Sequence, residues 1–177
     1  GVDALIGAHG PLAVLINNAA VYPHRDFLDE SPDSFAKTVQ INLGGVINCS
    51  HAALQDMAPR GVGRILNVAT FADLNPLPSS AAYSVSKVGL AHLTRLAAVE
   101  WGETIRVNAI APGLILPPAG QGMDYLERNK GNVPMNRHGS VDDLIRALDY
   151  LIDSPFVNGE TLFVDGGESH GRKYNKP

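Results

Sequence analysis

The chain has 177 residues, 45% of them hydrophobic, which fits one domain with a sizeable core rather than two domains. Its formal charge of −4 argues against a nucleic-acid or anionic-membrane surface, the short basic tail at 171–176 being the one departure, so small molecules or further copies of the chain are the expected partners. A single cysteine, Cys49, excludes an internal disulfide, no apolar run reaches a membrane span and no signal-peptide pattern opens the sequence, so a cytoplasmic location is expected, with no nucleic acid and no membrane as partner.

Residues 1–10 read as the end of a helix, and residues 12–18, Leu-Ala-Val-Leu-Ile-Asn-Asn, form a continuous apolar run typical of a buried parallel strand. Ser31 followed by Pro32 is an N-cap with proline at the first helical position, predicting a long helix to about Ala58, with Gly44 and Gly45 marking close packing or a bend. A turn is expected over 59–63 and a second buried strand over 64–69. Apolar residues at helical spacing predict a helix from about Ser80 to Trp101, ended by Gly102. Within it, the set Leu90, Leu93 and Leu96 fits burial inside the chain or between copies of it. Residues 105–111 make a third strand, and a Pro/Gly-rich segment then runs to about Gly139. Ser140 with Asp143 caps a helix to about Asp153, and residues 161–164 are a last strand before Asp165-Gly166-Gly167. Strands alternate with helices throughout, which implies an α/β fold: a parallel sheet covered by helices on both faces.

In such sheets ligands bind beyond the carboxyl ends of the strands. The chain puts informative residues there: Asn17-Asn18-Ala19-Ala20 after the first strand, Thr70 after the second, and Pro112-Gly113-Leu114-Ile115 after the third. Tyr83 and Lys87 open the helix beyond the second strand, four residues apart and so on one helical face. A cation held beside a phenol favours the phenolate, so the ordinary phenol pKa of about 10 is expected to fall toward neutrality, giving an acid/base catalyst. Taken alone, the same pair also fits a surface helix with no chemistry. The histidines show no metal-ligand spacing and no Gly-x-Ser-x-Gly elbow occurs, so neither a metal site nor a serine hydrolase is read.

These segments resemble the short-chain dehydrogenase/reductase family. The residues that carry the resemblance are Asn17-Asn18-Ala19, Asn42 in Gln-Ile-Asn-Leu, Tyr83-x-x-x-Lys87, the run from Arg106 through Asn108 to Gly113, and Val164-Asp165-Gly166-Gly167, in the family's order and spacing. The resemblance implies an NADP- or NAD-dependent oxidoreductase that moves a hydride between the nicotinamide and a carbonyl or imine, with Tyr83 as general acid/base. Lys87 would lower the Tyr83 pKa and hold the nicotinamide ribose, and Asn42 would bind a water linking Lys87 to solvent. Asn42 could instead bond the backbone where the two glycines loosen the helix. Asn18 and Ala19 would face the adenosine side, and Pro112, Gly113 and Ile115 the nicotinamide carboxamide. The family commonly forms dimers or tetramers, so a homo-oligomer is expected.

The chain departs from the family's pattern at two places. Thr70 stands where serine is usual; it keeps the hydroxyl that positions the substrate carbonyl but adds a methyl and a stiff χ1, so a narrower substrate range is expected. The glycine-rich turn that binds pyrophosphate does not occur, and the chain begins where the family has completed three strands, so it reads as the C-terminal portion of a Rossmann-like doubly wound sheet, a partial domain lacking roughly seventy residues. That reading also favours an alternative, a catalytically silent binding or scaffolding chain. Among family members the loops at 113–118, 133–139 and 156–159 look most like pteridine reductases, and Tyr22 is similar to the aromatic that stacks on the pterin there. Tyr22 equally fits a loop aromatic over the core. His24, Arg25 and Asp73 are candidates for the pocket border with no spacing that assigns them a role.

Overall fold

A computed structural model of the chain describes residues 1–71 and 74–171; Asp73 and the basic residues Arg172, Lys173 and Lys176 lie outside the described residues. The four strands β1 (Val14–Asn17), β2 (Gly63–Val68), β3 (Ile105–Pro112) and β4 (Thr161–Val164) form one parallel sheet in the order β1-β2-β3-β4. Both faces are covered, as continuous apolar strands require. Along β2, Ile65 turns to one face, where it meets Ala53, Leu54 and Met57 of α3 (Gly45–Arg60) and Ala97 and Ala98 of α4 (Ala81–Trp101). The next residue, Leu66, turns to the other face and packs with Ile110, Ala147 and Leu151, the last two on α6 (Val141–Asp153). Each such fully buried aliphatic side chain stabilises the fold by about 1.5–3 kcal/mol.

α6 is held onto the sheet by charge as well as by apolar contact. Arg106 on β3 donates to the carbonyls of Leu151 at 2.7 Å and Ile152 at 2.6 Å, and Arg64 on β2 donates to Ile152 O at 2.9 Å. Cations at a helix C-terminus meet its free carbonyls and the negative end of its dipole. At the other end Ser140 and Asp143 form the reciprocal capping box that the sequence predicts. Asn108 and Asn158 add neutral ties through both ends of their amides: Asn158 accepts from Val107 N–H and donates to Ala98 O, while Asn108 donates to Val157 O and accepts from Glu160 N–H. These residues join β3, β4 and the helices and stand away from the sheet's carboxyl end.

Two expectations change and one left open is divided. The helix read from Ser31 to Ala58 is α2 (Pro32–Val39), a π turn at Gln40–Gly44, and α3, which runs through Pro59 to Arg60 before Gly61 ends it at φ 67°. Two adjacent glycines weaken regular helix by about 1 kcal/mol each, which makes the wider turn accessible. The Pro/Gly-rich segment contains a short helix, α5 (Asp124–Asn129), and a 3₁₀ turn (Lys130–Asn132), laced by Asp124 to Arg128 and Glu127 to Lys130 ion pairs. The leucines of α4 divide: Leu90 is fully buried, whereas Leu96 is 46% exposed. A first helix, α1 (Val2–His9), precedes β1, and a final 3₁₀ turn spans Glu168–His170. No helix among the described residues is long and apolar enough to cross a membrane.

Candidate active site

The carboxyl ends of β1, β2 and β3 and the start of α4 meet at one edge of the sheet. Lys87 lies one helical turn after Tyr83 and is only 3% exposed. Its ammonium donates to the carbonyl of Val68, the last residue of β2, at 2.5 Å. Burial pushes the lysine down to about 8, since a charged amine loses hydration there. That is its one hydrogen bond among the described residues, which leaves two of the ammonium's three donors for an occupant of the adjacent crevice.

The expected lowering of Tyr83 is overturned. Burial pushes the phenol above its ordinary value, the Thr70 hydroxyl beside it pulls the other way, and Tyr22 adds to the rise. Lys87 does not counter this because its ammonium is held at the Val68 carbonyl, 6.0 Å from the Tyr83 ring centroid. Desolvation therefore outweighs a cation kept off the hydroxyl, and at neutral pH Tyr83 is a protonated phenol.

Asn42 sits in the π turn, fully buried. Its side chain accepts from Val21 N–H at 2.8 Å, donates to Val21 O at 2.9 Å and donates to Ser86 Oγ at 3.1 Å. Both amide hydrogens are thus engaged, the backbone-bonding arrangement that the neighbouring glycines suggest, and only the carbonyl oxygen retains acceptor capacity for a water. The effect on the site is positional: Asn42 fixes the loop after β1, and with it Tyr22, whose ring meets Tyr83 edge-on with centroids 4.5 Å apart.

Two cavities flank this pair. One, about 530 Å³, is lined by Asn18, Ala20, Lys87, Ile115 and the apolar face of α6. The other, about 390 Å³, is lined by Thr70, Phe71, Tyr125, Asn129, Asn132 and Glu168. Tyr22, Tyr83, Pro112 and Gly113 line both. The structure thus brings together Asn18, Tyr22, Thr70, Tyr83, Lys87, Pro112, Gly113 and Ile115. Ala19 is exposed and outside both linings, and Asn42 stands behind the wall. His24 and Arg25 border neither cavity; they bond Ser80 and Ser34 and tie down the loop after β1. Sequence reasoning missed Ser86, which links Asn42 to the Tyr83 carbonyl, and the polar group around Tyr125, Asn129 and Glu168. No group of three or more His, Cys, Asp or Glu is arranged to hold a metal among the described residues.

Residues 1–169 match the family described as enoyl-(acyl carrier protein) reductase. A 3alpha-hydroxysteroid dehydrogenase of Mediterraneibacter gnavus is 34% identical over 89% of the chain and 65% of its own length, and carbonyl reductase [NADPH] 2 of Sus scrofa is 32% identical over 93% and 71%. The chain belongs to the short-chain dehydrogenase/reductase family. Solved members have the same fold: a gluconate 5-dehydrogenase from Burkholderia cenocepacia, in complex with NADP and tartrate, superposes with a TM-score of 0.88 at 29% identity over 96% of the chain and 69% of its own. An acetoin dehydrogenase from Salmonella typhimurium gives 0.88 at 29%, over 98% and 72%. The chain therefore spans 65% of the steroid dehydrogenase and about 70% of the other three relatives. A short-chain dehydrogenase/reductase sheet thus accounts for the shared edge at which both cavities open.

Proposed function

We propose that the protein is an NADP- or NAD-dependent reductase of small carbonyl compounds in which Tyr83 protonates the substrate oxygen. The observation that carries this reading is the place of Tyr83 in a wall shared by two cavities, with Lys87 in one and Thr70 in the other. The residues present fit the ribose end of a nicotinamide dinucleotide: the two spare donors of the buried Lys87 ammonium suit ribose hydroxyls, with Pro112, Gly113 and Ile115 alongside and Asn18 toward the adenosine. Bound there, the dinucleotide supplies the hydride. Thr70 donates a hydrogen bond to the substrate oxygen and orients the carbonyl, the threonine methyl narrowing the pocket. Tyr83, held neutral by burial, gives its proton to that oxygen as negative charge develops on it. Lys87, anchored at the Val68 carbonyl, fixes the cofactor end. Asn42 and Ser86 hold the Tyr22 loop and the first turn of α4 in register.

A pterin is a second substrate reading, favoured by Tyr22, which is 50% exposed and lines both cavities, a position suited to packing on a flat heterocycle. A second copy of the chain is the proposed partner, supported by the exposed stripe Val85, Val88, Leu96 and Val99 on α4. The test is oxidation of NADPH and NADH by the full-length protein with simple ketones and with a dihydropterin. Reduction of either substrate class, lost in Tyr83→Phe, is the expected result. Undiminished turnover in that variant removes the reading, and cofactor binding without turnover of any substrate favours the scaffolding alternative.

A further inference from the structure

The ring of Tyr83 takes little support from its own helix. Lys87 is committed to the Val68 carbonyl and stands 6.0 Å from the ring centroid, and the first turn of α4 receives no side-chain cap from Ser80. The aromatic neighbour of Tyr83 is Tyr22, edge-on with centroids 4.5 Å apart and planes at 65°, an arrangement in which such rings attract. Tyr22 is 50% exposed, so the core does not depend on its ring.

A single amide sets the spacing of this pair. Asn42 Nδ2 donates to the carbonyl of Val21, the residue before Tyr22, at 2.9 Å and to Ser86 Oγ at 3.1 Å. Ser86 Oγ in turn donates to the Tyr83 carbonyl at 2.7 Å, and Val21 N–H donates to Asn42 Oδ1 at 2.8 Å. Asn42 and Ser86 are both fully buried, where such bonds are not exchanged for bonds to bulk water. One side chain therefore grips the backbone beside each ring. We propose that Tyr22 is a positioning residue for Tyr83: its ring braces the Tyr83 ring so that the phenol hydroxyl meets the substrate oxygen, and Asn42 acts on the chemistry through this brace. The inference rests on the reductase reading above. It is distinct from packing on a flat substrate, because it holds for a substrate that has no ring. A misplaced acid loses rate more than affinity, since proton transfer needs hydrogen-bond reach to the oxygen that is gaining charge.

The experiment measures kcat and KM of the full-length protein with the smallest ring-free carbonyl compound it reduces, butanone first. The variants are Tyr22→Ala, Tyr22→Phe, Asn42→Ala and the double variant of Asn42→Ala with Tyr22→Ala, each checked by urea unfolding. Tyr22→Ala is expected to lower kcat by about 10-fold with KM within about 3-fold of the parent, the scale of a lost aromatic pair joined to a small misplacement. Tyr22→Phe keeps the ring edge and should recover most of that rate. The kcat loss caused by Asn42→Ala should shrink to within about 2-fold once residue 22 is alanine, because both changes remove one coupled contact. Ser86→Ala, which takes away one of the amide's partners, replaces Asn42→Ala in the cycle if that variant does not fold. A Tyr22→Ala change confined to KM, a Tyr22→Phe as slow as Tyr22→Ala, or an Asn42→Ala loss of equal size in both backgrounds overturns the brace and leaves the reductase reading standing. A parent that reduces no carbonyl compound sinks both readings.

Discussion

Lys87 carries its charge in a place that disfavours charge, and this has a measurable signature. Its pKa is about 8 in the folded chain against 10.5 in an unfolded one, so between those values the unfolded state binds more protons. Stability should therefore rise from pH 8 toward 10, by an amount on the order of 3 kcal/mol if Lys87 acted alone, and the burial penalty is present in full below pH 8. Urea unfolding at pH 7, 8, 9 and 10 checks this, and Lys87→Met should flatten the rise. Tyr83 titrates the opposite way: its raised phenol pKa makes the unfolded state the stronger acid, so its effect is a loss of stability above about pH 10, outside that window. Removing its hydroxyl in Tyr83→Phe should lower kcat by about 10²- to 10⁴-fold while leaving the melting temperature close to the parent's. The i, i+4 spacing made the pair legible in the sequence. The carbonyl that accepts the Lys87 hydrogen bond was not, because Val68 comes from another element and only the packing of α4 on β2 brings it there.

At the scale of elements, Asn42 and Gly113 set the walls of the site. Asn42→Ala would leave Val21 N–H and C=O without their partner, and Ser86 also, for a loss of about 2–4 kcal/mol measured by denaturant unfolding, together with a raised KM as the Tyr22 loop loosens. Gly113→Ala would push a methyl into the Asp165 backbone, 2.7 Å away at Cα, where nothing flexible can yield. A loss of about 1–3 kcal/mol is expected, with reduced affinity for both cofactor and substrate. The elements themselves were largely readable: alternating apolar runs and the caps at Ser31 and Ser140 mark strands and helices that the structure contains. The π turn was hidden because a widened turn changes hydrogen-bond register without changing residue type. α5 was hidden because six helical residues among glycines and prolines offer too little periodicity. Glu168 was hidden because its neighbours at Tyr125 and Asn129 lie some forty positions away in sequence, brought close only by the turn after β4.

Across the whole molecule, α4 has two duties on opposite sides. Its inner face holds Tyr83, Lys87 and the buried Leu90, while Val85, Val88, Leu96 and Val99 form an exposed stripe at helical spacing. If a second copy covers that stripe, Val88→Glu should lower the sedimenting mass to that of a monomer and reduce activity by loosening the helix that bears the pair; an unchanged mass would count against that partner. The π turn reaches further than the site it serves. Gln40–Gly44 holds one residue more than a regular helix would need between α2 and α3. Five residues at the wider spacing of a π turn sweep about as far round the axis as four at α spacing, so the extra residue is absorbed locally and the faces on either side stay in line. Deleting a residue there would restore a regular helix with Ala53, Leu54 and Met57 still against the sheet, and would remove the turn from which Asn42 reaches Val21. A chain shortened by one at this place would keep its core and lose its hold on the loop that carries Tyr22.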